Sequence, residues 1–249
     1  MKRVCSIHQP HYLPWLRYFD KIARADIFIL LDDAQFNKNG WQNRNKIKGP
    51  EGWLYLTTPI RHKHRQAVLD VMIDTRHRWP IKHWKSIETC YRRARFFDTY
   101  IESLMNIYQQ EWVKLIDLVC TMLDLFNQTL GIDTPVLRSS ELGVGGAGTQ
   151  RLLDLCHHVE ATHYLAGSYS AGAYFDFDLF RKENIEVILQ DWTAPFYKQL
   201  YPKAGFIPDL SILDLLLNHG PESLNIILDP ERQHHEEPPC IEGGLNSGR

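Results

Sequence analysis

The first 33 residues constrain the fold most, because they carry the pattern of two strands joined by a helix. Residues 4–7 form a short apolar run, and residues 16–23 repeat apolar side chains at helical spacing. A continuous apolar run follows at 27–31, as expected of a strand that is covered on both faces. A strand, a helix and a second strand within about 30 residues are typical of the βαβ unit. We therefore predict an α/β fold built on a parallel sheet.

The rest of the chain extends this prediction. Residues 53–60 and 68–73 are strand-like and are joined by the basic segment 61–65, which predicts an antiparallel hairpin. Apolar residues at helical spacing from 80 to about 130 predict a helical insertion. Further strands are predicted at 135–137, 162–165 and 186–189, and further helices at 149–157, 179–183 and 211–217, the last capped by Asp209 or Ser211. The expected fold class is α/β, a mainly parallel sheet flanked by helices, with a β-hairpin and the helical insertion, in a single domain over 1–230.

The charge balance and the cysteine pattern exclude several classes of protein. The 249 residues carry 28 Lys and Arg against 30 Asp and Glu, a net charge of −2. A protein that coats DNA or RNA needs a basic excess, so these numbers argue against that class and leave room only for nucleic-acid binding in a local basic groove. The five cysteines are scattered and form no CxxC pair, which indicates neither a disulfide framework nor a structural zinc site.

The termini and the apolar runs predict where the protein works. The first strand follows Met1 without the apolar core of about 7–15 residues that a signal peptide needs. The run at 27–31 is far shorter than the roughly 20 residues of a membrane helix. We therefore expect a cytoplasmic protein with no membrane span. Residues 231–249 are polar and rich in Pro and Gly, and we expect a disordered tail there.

The turn after the first strand is the densest group of candidate site residues. Pro10 and Pro14 remove backbone donors and stiffen this turn, so its side chains are held in place before a ligand arrives. Imidazoles there could stabilise developing negative charge or act as acid and base. The alternative is a rigid turn that only caps the sheet. The candidates are His8 and His11 for catalysis, and Gln9, Tyr12 and Trp15 for substrate binding.

The segment after the second strand carries acids and then bases. Asp32 and Asp33 end that strand at the edge where open α/β sheets bind ligands, and are the other two candidates for catalysis. They could hold a hydroxyl, an amine or Mg²⁺. The alternative is a solvated turn or a helix cap. Further substrate-binding candidates are Gln35, Trp41, Asn43, Arg44 and Lys46. The two cations suit a phosphate, and the alternative for them is a salt bridge within the loop.

Weaker candidates lie in other loops. A basic hairpin tip at 61–65 is most simply a solvated charge run, and its histidines have no known metal-ligand spacing, so we predict no metal site. The glycine-rich stretch 143–148 opens a helix, where it could hold an anion or serve only as a linker. It matches no named nucleotide motif. Four residues could approach a ligand from other loops: Gly167, Ser168, Tyr174 and Gln199.

A set of short motifs runs through the chain up to about Gly220. In order they are His8-Gln9-Pro10-x-Tyr12-Leu13-Pro14-Trp15, Asp32-Asp33-x-Gln35-Phe36, Trp41-x-Asn43-Arg44-Asn45 with Lys46, Arg151-Leu152, Tyr164-Leu165-Ala166-Gly167, Tyr174, Tyr197-x-Gln199, and Phe206-x-Pro208-x-Leu210-Ser211-Ile212-x-Asp214-Leu215-Leu216. Together they resemble the WbqC-like protein family. Arg17 stands where such proteins usually carry glycine. The resemblance implies a place in bacterial surface-polysaccharide gene clusters, where sugar nucleotides and amino sugars receive acyl or aminoacyl groups.

A second resemblance concerns the first 50 residues. They are similar to the opening of HIGH-motif nucleotidyltransferases, whose imidazoles hold ATP phosphates at the first helix. That similarity implies a Rossmann-like (HUP-like) sheet. The spacing His8-x-x-His11 departs from HxGH, so nucleotide binding is only suggested by it.

Two functional hypotheses follow. The first is an enzyme of O-antigen-type polysaccharide biosynthesis that transfers an acyl or aminoacyl group to an amino sugar or nucleotide sugar, with ATP or a nucleotide sugar bound and Mg²⁺ as an option. The alternative is a non-catalytic module that binds a glycan or a partner protein of the same pathway. Binding of a tRNA ranks behind both hypotheses, because the net charge of −2 disfavours a nucleic-acid partner.

Overall fold

The central element of the fold is a parallel sheet with helices on both faces. The structure is a computed structural model that describes residues 1–167 and 175–229. The strands are β1 Val4–His8, β2 Ile27–Leu30, β3 Arg44–Gly49, β4 Gly52–Thr57, β5 Ile60–Arg61, β6 Met72–Ile73, β7 Val136–Arg138, β8 His163–Ala166 and β9 Glu186–Leu189. The helices are α1 Leu16–Ala23, α2 Trp79–Tyr91, α3 Phe97–Gln109, α4 Leu115–Leu130, α5 Gly148–His158, α6 Phe177–Lys182, α7 Ile212–His219 and α8 Ser223–Leu228. The predicted α/β fold class is confirmed.

The predicted βαβ unit is formed by β1, α1 and β2. All four residues of β2 are buried, which explains its unbroken apolar sequence, since a central strand of a parallel sheet is covered on both faces. The two strands pair in parallel, from Cys5 opposite Ile27 to His8 opposite Leu30. The ends of β1 and β2 therefore lie side by side at one edge of the sheet.

The order of the parallel strands is β7-β2-β1-β8-β9. Along the chain the sheet grows from β1 through β2 to β7 on one side, and then returns to β8 and β9 on the other side. Counted in chain order this is the 3-2-1-4-5 arrangement of a doubly wound, Rossmann-like sheet. The connections after β1 and β8 leave in opposite directions, so a crevice opens beyond their carboxyl ends.

The hairpin prediction needs correction. The main antiparallel pair is β3 with β4, whereas the predicted pairing of 53–60 with 68–73 is reduced to the two-residue strands β5 and β6. The sequence of β3 looks like a polar loop, and its burial depends on hydrogen bonds. Asn45 donates to the Leu13 carbonyl, and the Lys48 ammonium donates to Gln199 Oε1 at 3.0 Å. Such partners cannot be identified from an apolar pattern.

The helical insertion forms much of the core. Helices α2, α3 and α4 lie in the predicted range, and together with α1 and α7 they share the larger hydrophobic cluster of the described chain. Helix α4 ends at Gly131, whose φ of 71° is the left-handed conformation favoured by glycine. Of the two predicted caps for α7 it is Ser211 that accepts from the Leu213 amide, at 3.2 Å. The predicted tail at 231–249 lies outside the described residues.

Across the described ranges, none of the helices combines the length and the apolar character needed to cross a membrane.

Candidate functional site

A cavity of about 800 Å³ opens at the carboxyl ends of the parallel strands. His8 is the last residue of β1, while Gly167 follows β8 and Gln190 follows β9. The cavity therefore lies at the crevice that the strand order creates, and its size is that of a small-molecule site. The side chains and backbone that line it belong to His8, Trp15, Arg17, Tyr18, Lys21, Trp41, Lys46, Gly167, Gln190, Trp192 and Asp209.

The cavity wall is rich in aromatic rings. The rings of Trp15 and Trp41 pack edge to face, with centroids 4.7 Å apart. Trp192 also lines the cavity, and within the described chain its buried indole nitrogen has no hydrogen-bond partner. A buried indole N–H normally finds an acceptor. The wall thus offers flat apolar faces and one donor for a ligand.

Three cations lie in the same wall. Arg17 forms an ion pair with Asp209 at 3.1 Å, and its guanidinium lies over the Trp15 ring at 4.8 Å. The ammonium of Lys46 lies over the Trp41 ring at 5.8 Å. Lys21 is the buried member of the set. The cavity therefore combines aromatic faces with positive charge, which suits a ligand that carries both rings and phosphates.

Lys21 is 3% exposed and forms no ion pair with any described residue. Its ammonium donates to the Ile7 carbonyl at 3.1 Å, which leaves two of its three donors for other acceptors. Burial lowers the pKa of Lys21 to about 8. A buried lysine without a carboxylate is costly to the fold and is suited to an anionic ligand.

His8 is held in one tautomer by its neighbour. Its Nδ1 lies 3.0 Å from the Gln9 carbonyl oxygen, which can only accept, so Nδ1 carries the hydrogen. Burial, with a smaller contribution from the positive charge of Lys21, lowers the pKa of His8 to about 3. The ring is therefore neutral at physiological pH, and its Nε2 is an acceptor without a proton.

His11 packs against the rings of two cavity residues, His8 and Trp15. Its ring packs edge to face on His8, with centroids 4.7 Å apart, and on Trp15 at 5.1 Å. Burial, and then the neighbouring His8, lower the pKa of His11 well below the usual range. Its buried Nδ1 has no partner in the described chain. His11 thus packs against two residues of the cavity wall, while Tyr12 is fully buried and bonds to His83 and Tyr108 of the helical insertion.

Asp32 and Asp33 lie at the end of β2, on the side that faces β7. Asp32 is fully buried and accepts hydrogen bonds from Arg138 Nε at 2.8 Å and from the Ser140 hydroxyl at 2.8 Å. Asp33 accepts from Arg151 and from the Ser139 hydroxyl. Burial opposes ionisation of Asp32, but the bonds from Ser140 and Arg138 outweigh it and lower its pKa. These contacts offer a structural role beside the predicted catalytic one.

Other predicted residues are engaged in supporting contacts. Gln9 Oε1 accepts from Gln42 at 2.8 Å, and Asn43 donates to the Thr58 carbonyl at 2.9 Å. The Gln35 side chain is exposed. Arg44 lies over the Tyr55 ring at 4.7 Å, on the outside of the β3–β4 hairpin. Ser168 and Tyr174 fall outside the described residues.

Gln199 lies at a second cleft, of about 580 Å³, rather than in the cavity wall. Its Oε1 accepts from the buried ammonium of Lys48, and the cleft is also lined by Arg93, Arg95 and Lys198.

No three His, Cys, Asp or Glu side chains in residues 1–167 and 175–229 are grouped so that they could hold a metal ion.

Several cavity residues were not identified from the sequence. Arg17 and Lys21 are one helical turn apart and lie off the apolar face of α1 that carries Phe19 and Ile22. That spacing was a usable signal for a basic face turned towards the sheet edge. Trp192 gave no comparable signal, because it lies in an irregular segment far along the chain.

Comparison with known proteins agrees with the motifs. A protein of Mycobacterium tuberculosis, named Uncharacterized protein Rv1507c, is 37% identical over 227 residues, which cover 90% of this chain and 96% of that protein. No solved structure gives a significant match. The family model described as the WbqC-like protein family matches residues 9–226, which include the cavity residues from Trp15 to Asp209. The chain belongs to the WbqC-like protein family.

Proposed function

We propose that the protein binds a nucleotide-linked amino sugar in the central cavity and transfers an acyl or aminoacyl group to it. The setting is bacterial surface-polysaccharide biosynthesis of the O-antigen type. The observation that carries this proposal is the buried Lys21 ammonium, which lines an aromatic cavity at the sheet crevice. Among the described residues it forms no ion pair with a carboxylate. A phosphate-bearing ligand supplies the missing negative charge.

The cavity wall divides into two binding regions. Trp15 and Trp41 provide rings on which a base or a sugar can pack, and Trp192 adds an indole donor. Lys21 holds phosphate oxygens. The Arg17 guanidinium is already paired with the Asp209 carboxylate, so a phosphate that binds Arg17 has to compete with Asp209. This arrangement favours a nucleoside diphosphate sugar over a neutral monosaccharide.

His8 is the proposed proton acceptor. In the transfer, the amine nitrogen of the sugar forms a bond to the acyl carbon, and the bond from that carbon to the donor's leaving group breaks. The proton lost by the nitrogen passes to Nε2 of His8 and then to the leaving group, so the ring returns to its neutral state. Negative phosphates bound near His8 raise its basicity during this step.

Melting of the purified protein with UDP, ATP, UDP-glucose and UDP-N-acetylglucosamine tests the binding part of the proposal. A ligand at 100 times its dissociation constant adds about 2.7 kcal/mol to the free energy of unfolding. For a chain of this length that is a rise in the melting temperature of about 5–10 °C. Binding of the UDP sugars is expected, and failure of all four ligands to raise the melting temperature refutes it.

Replacement of His8 by glutamine is expected to abolish transfer and to leave binding intact. Glutamine can still accept hydrogen bonds but cannot take a proton, so the rate should fall by about 10²- to 10⁴-fold. The readout is recovery of surface polysaccharide in a bacterium that lacks the protein. His158→Gln, on the exposed side of α5, is the matched control and should restore the polysaccharide fully.

A non-catalytic binding module is the second candidate, and the low pKa of His8 favours it because a weak base is a poor catalyst. Under that hypothesis His8→Gln restores the polysaccharide, whereas Trp15→Ala and Trp41→Ala do not. The two candidates therefore make opposite predictions for His8.

A further inference from the structure

The β3–β4 hairpin presents a second group of aromatic and basic side chains, which we call the hairpin face: Arg44, Lys46, Trp53 and Tyr55. They share the outward side of the hairpin, as the alternation along each strand requires. Trp53 is 50% exposed and Tyr55 is 39% exposed. Large aromatic side chains are seldom left this open on neighbouring positions without a partner.

The hairpin face continues the wall of the cavity. Trp41, a cavity residue, lies 6.3 Å from Tyr55, and Tyr55 lies 5.1 Å from Trp53, both measured between ring centroids. Trp41 also packs on Trp15 inside the cavity. A row of four rings therefore leads from the interior of the site to the outside of the hairpin.

Cations are interleaved with these rings. The Arg44 guanidinium lies 4.7 Å from the centroid of Tyr55, and the Lys46 ammonium lies 5.3 Å from that of Trp53. Neither cation forms an ion pair with a carboxylate of the described chain. The ring faces fix the positions of the two charges. Arg44 also donates one N–H to the Asn39 carbonyl, so its other terminal N–H groups and the Lys46 ammonium are the donors left for anionic groups.

We propose that the hairpin face binds an acidic oligosaccharide, a sugar chain that carries carboxylates at intervals, beside the cavity that takes the nucleotide sugar. Sugar rings pack their apolar faces on Trp53 and Tyr55, and the carboxylates meet Arg44 and Lys46. This binding goes beyond the function proposed above, in which the nucleotide sugar in the cavity is the acceptor, and it is measured independently.

The ring geometry favours a glycan over a single-stranded nucleic acid. Neighbouring rings are inclined to one another by 46° and 75°, and Lys46 lies between Trp41 and Trp53. Rings at these angles do not give the successive bases of a strand a continuous stack. Nucleic acid also carries a charge at every unit, whereas the hairpin face offers two cations on a chain of net charge −2.

Titration calorimetry with a galacturonic acid hexasaccharide tests this proposal, with maltohexaose as the neutral probe and a thymidine oligonucleotide of similar length as the nucleic-acid probe. We expect the acidic hexasaccharide to bind, more weakly at high salt, and at least tenfold more tightly than maltohexaose. Trp53→Ala and Tyr55→Ala should each weaken it at least tenfold. Phe177→Ala, a residue 37% exposed on α6, is the control and should have no effect.

Three results overturn the proposal: no binding of the acidic hexasaccharide, binding that is unchanged in both hairpin variants, or tighter binding of the oligonucleotide that the same variants abolish. The melting temperatures of the variants verify that they are folded. Trp53 and Tyr55 are not cavity-lining residues, so the response to UDP sugars should persist in these variants. If the UDP sugars do not raise the melting temperature of the wild-type protein, the nucleotide-sugar proposal is contradicted, and the hairpin proposal is judged on the hexasaccharide titration alone.

Discussion

Replacement of Lys21 by methionine is expected to make the protein more stable and to weaken its binding of phosphate-bearing ligands. The side chain keeps its length and apolar stem, but the buried charge is lost. We expect the free energy of unfolding at pH 7 to rise by about 1–2 kcal/mol, since the lost bond to the Ile7 carbonyl offsets part of the gain. Nucleotide-sugar binding should weaken at least tenfold, in line with the loss of a charge-assisted bond.

The pH dependence follows from the lowered pKa of Lys21, which is about 8 in the folded protein against an ordinary 10.5. Between these values the unfolded chain binds the proton more tightly, so the contribution of Lys21 to the free energy of unfolding rises with pH across this window. Below about pH 8 the folded protein carries the full free-energy cost of the buried, charged Lys21. Ligand affinity should fall as pH rises through about 8, because the ammonium is then lost. Two neighbouring groups, Cys5 and Asp20, oppose the lowering of this pKa, and Asp20 is itself held by Arg24.

Thermal melting and calorimetry from pH 6 to 10 measure both effects, with Lys85→Met on the exposed side of α2 as the control. The control should match wild type within about 0.5 kcal/mol. A Lys21→Met protein that binds UDP sugars as tightly as wild type shows that the ammonium is not the phosphate site.

Replacement of Asp32 by alanine is expected to destabilise the protein by about 3–5 kcal/mol, because it leaves a partly buried Arg138 with only the exposed Glu141 carboxylate, at 3.7 Å. The Ser140 hydroxyl and amide lose the same acceptor. Since these bonds lower the pKa of Asp32, its contribution to stability is present at neutral pH and is lost as pH falls through that lowered value.

Denaturant unfolding checks this prediction, and Asp133→Ala, an exposed position before β7, is the control and should change little. If Asp32→Ala is as stable as wild type but fails to restore the polysaccharide, Asp32 is catalytic, as the sequence predicts, and its structural interpretation is wrong.

Much of the fold could be predicted from the sequence because it depends on local apolar patterns. The buried strand β2 is an unbroken apolar run, and α1 and α4 show helical spacing. Strand β3 could not be predicted in the same way. Its buried Asn45 and Lys48 find partners at Leu13 and Gln199, which lie far away along the chain.

The candidate site was predicted only in part, because some of its residues follow from local sequence and others depend on distant partners. The stiff turn after β1 indicated His8 and Trp15, and both line the cavity. Adjacent strand ends also suggested Asp32, but a strand end has two sides, and the carboxylate is bonded towards β7. Which side a carboxylate faces depends on long-range partners such as Arg138, so residue spacing alone does not determine it.

A crystal structure of the protein grown with UDP-N-acetylglucosamine tests the central claim most directly. We predict that the ligand occupies the cavity, with a diphosphate oxygen within hydrogen-bond distance of Lys21 Nζ and a ring against Trp15 or Trp41. A ligand bound instead in the cleft of Arg93, Arg95 and Lys198, with the cavity empty, would contradict it.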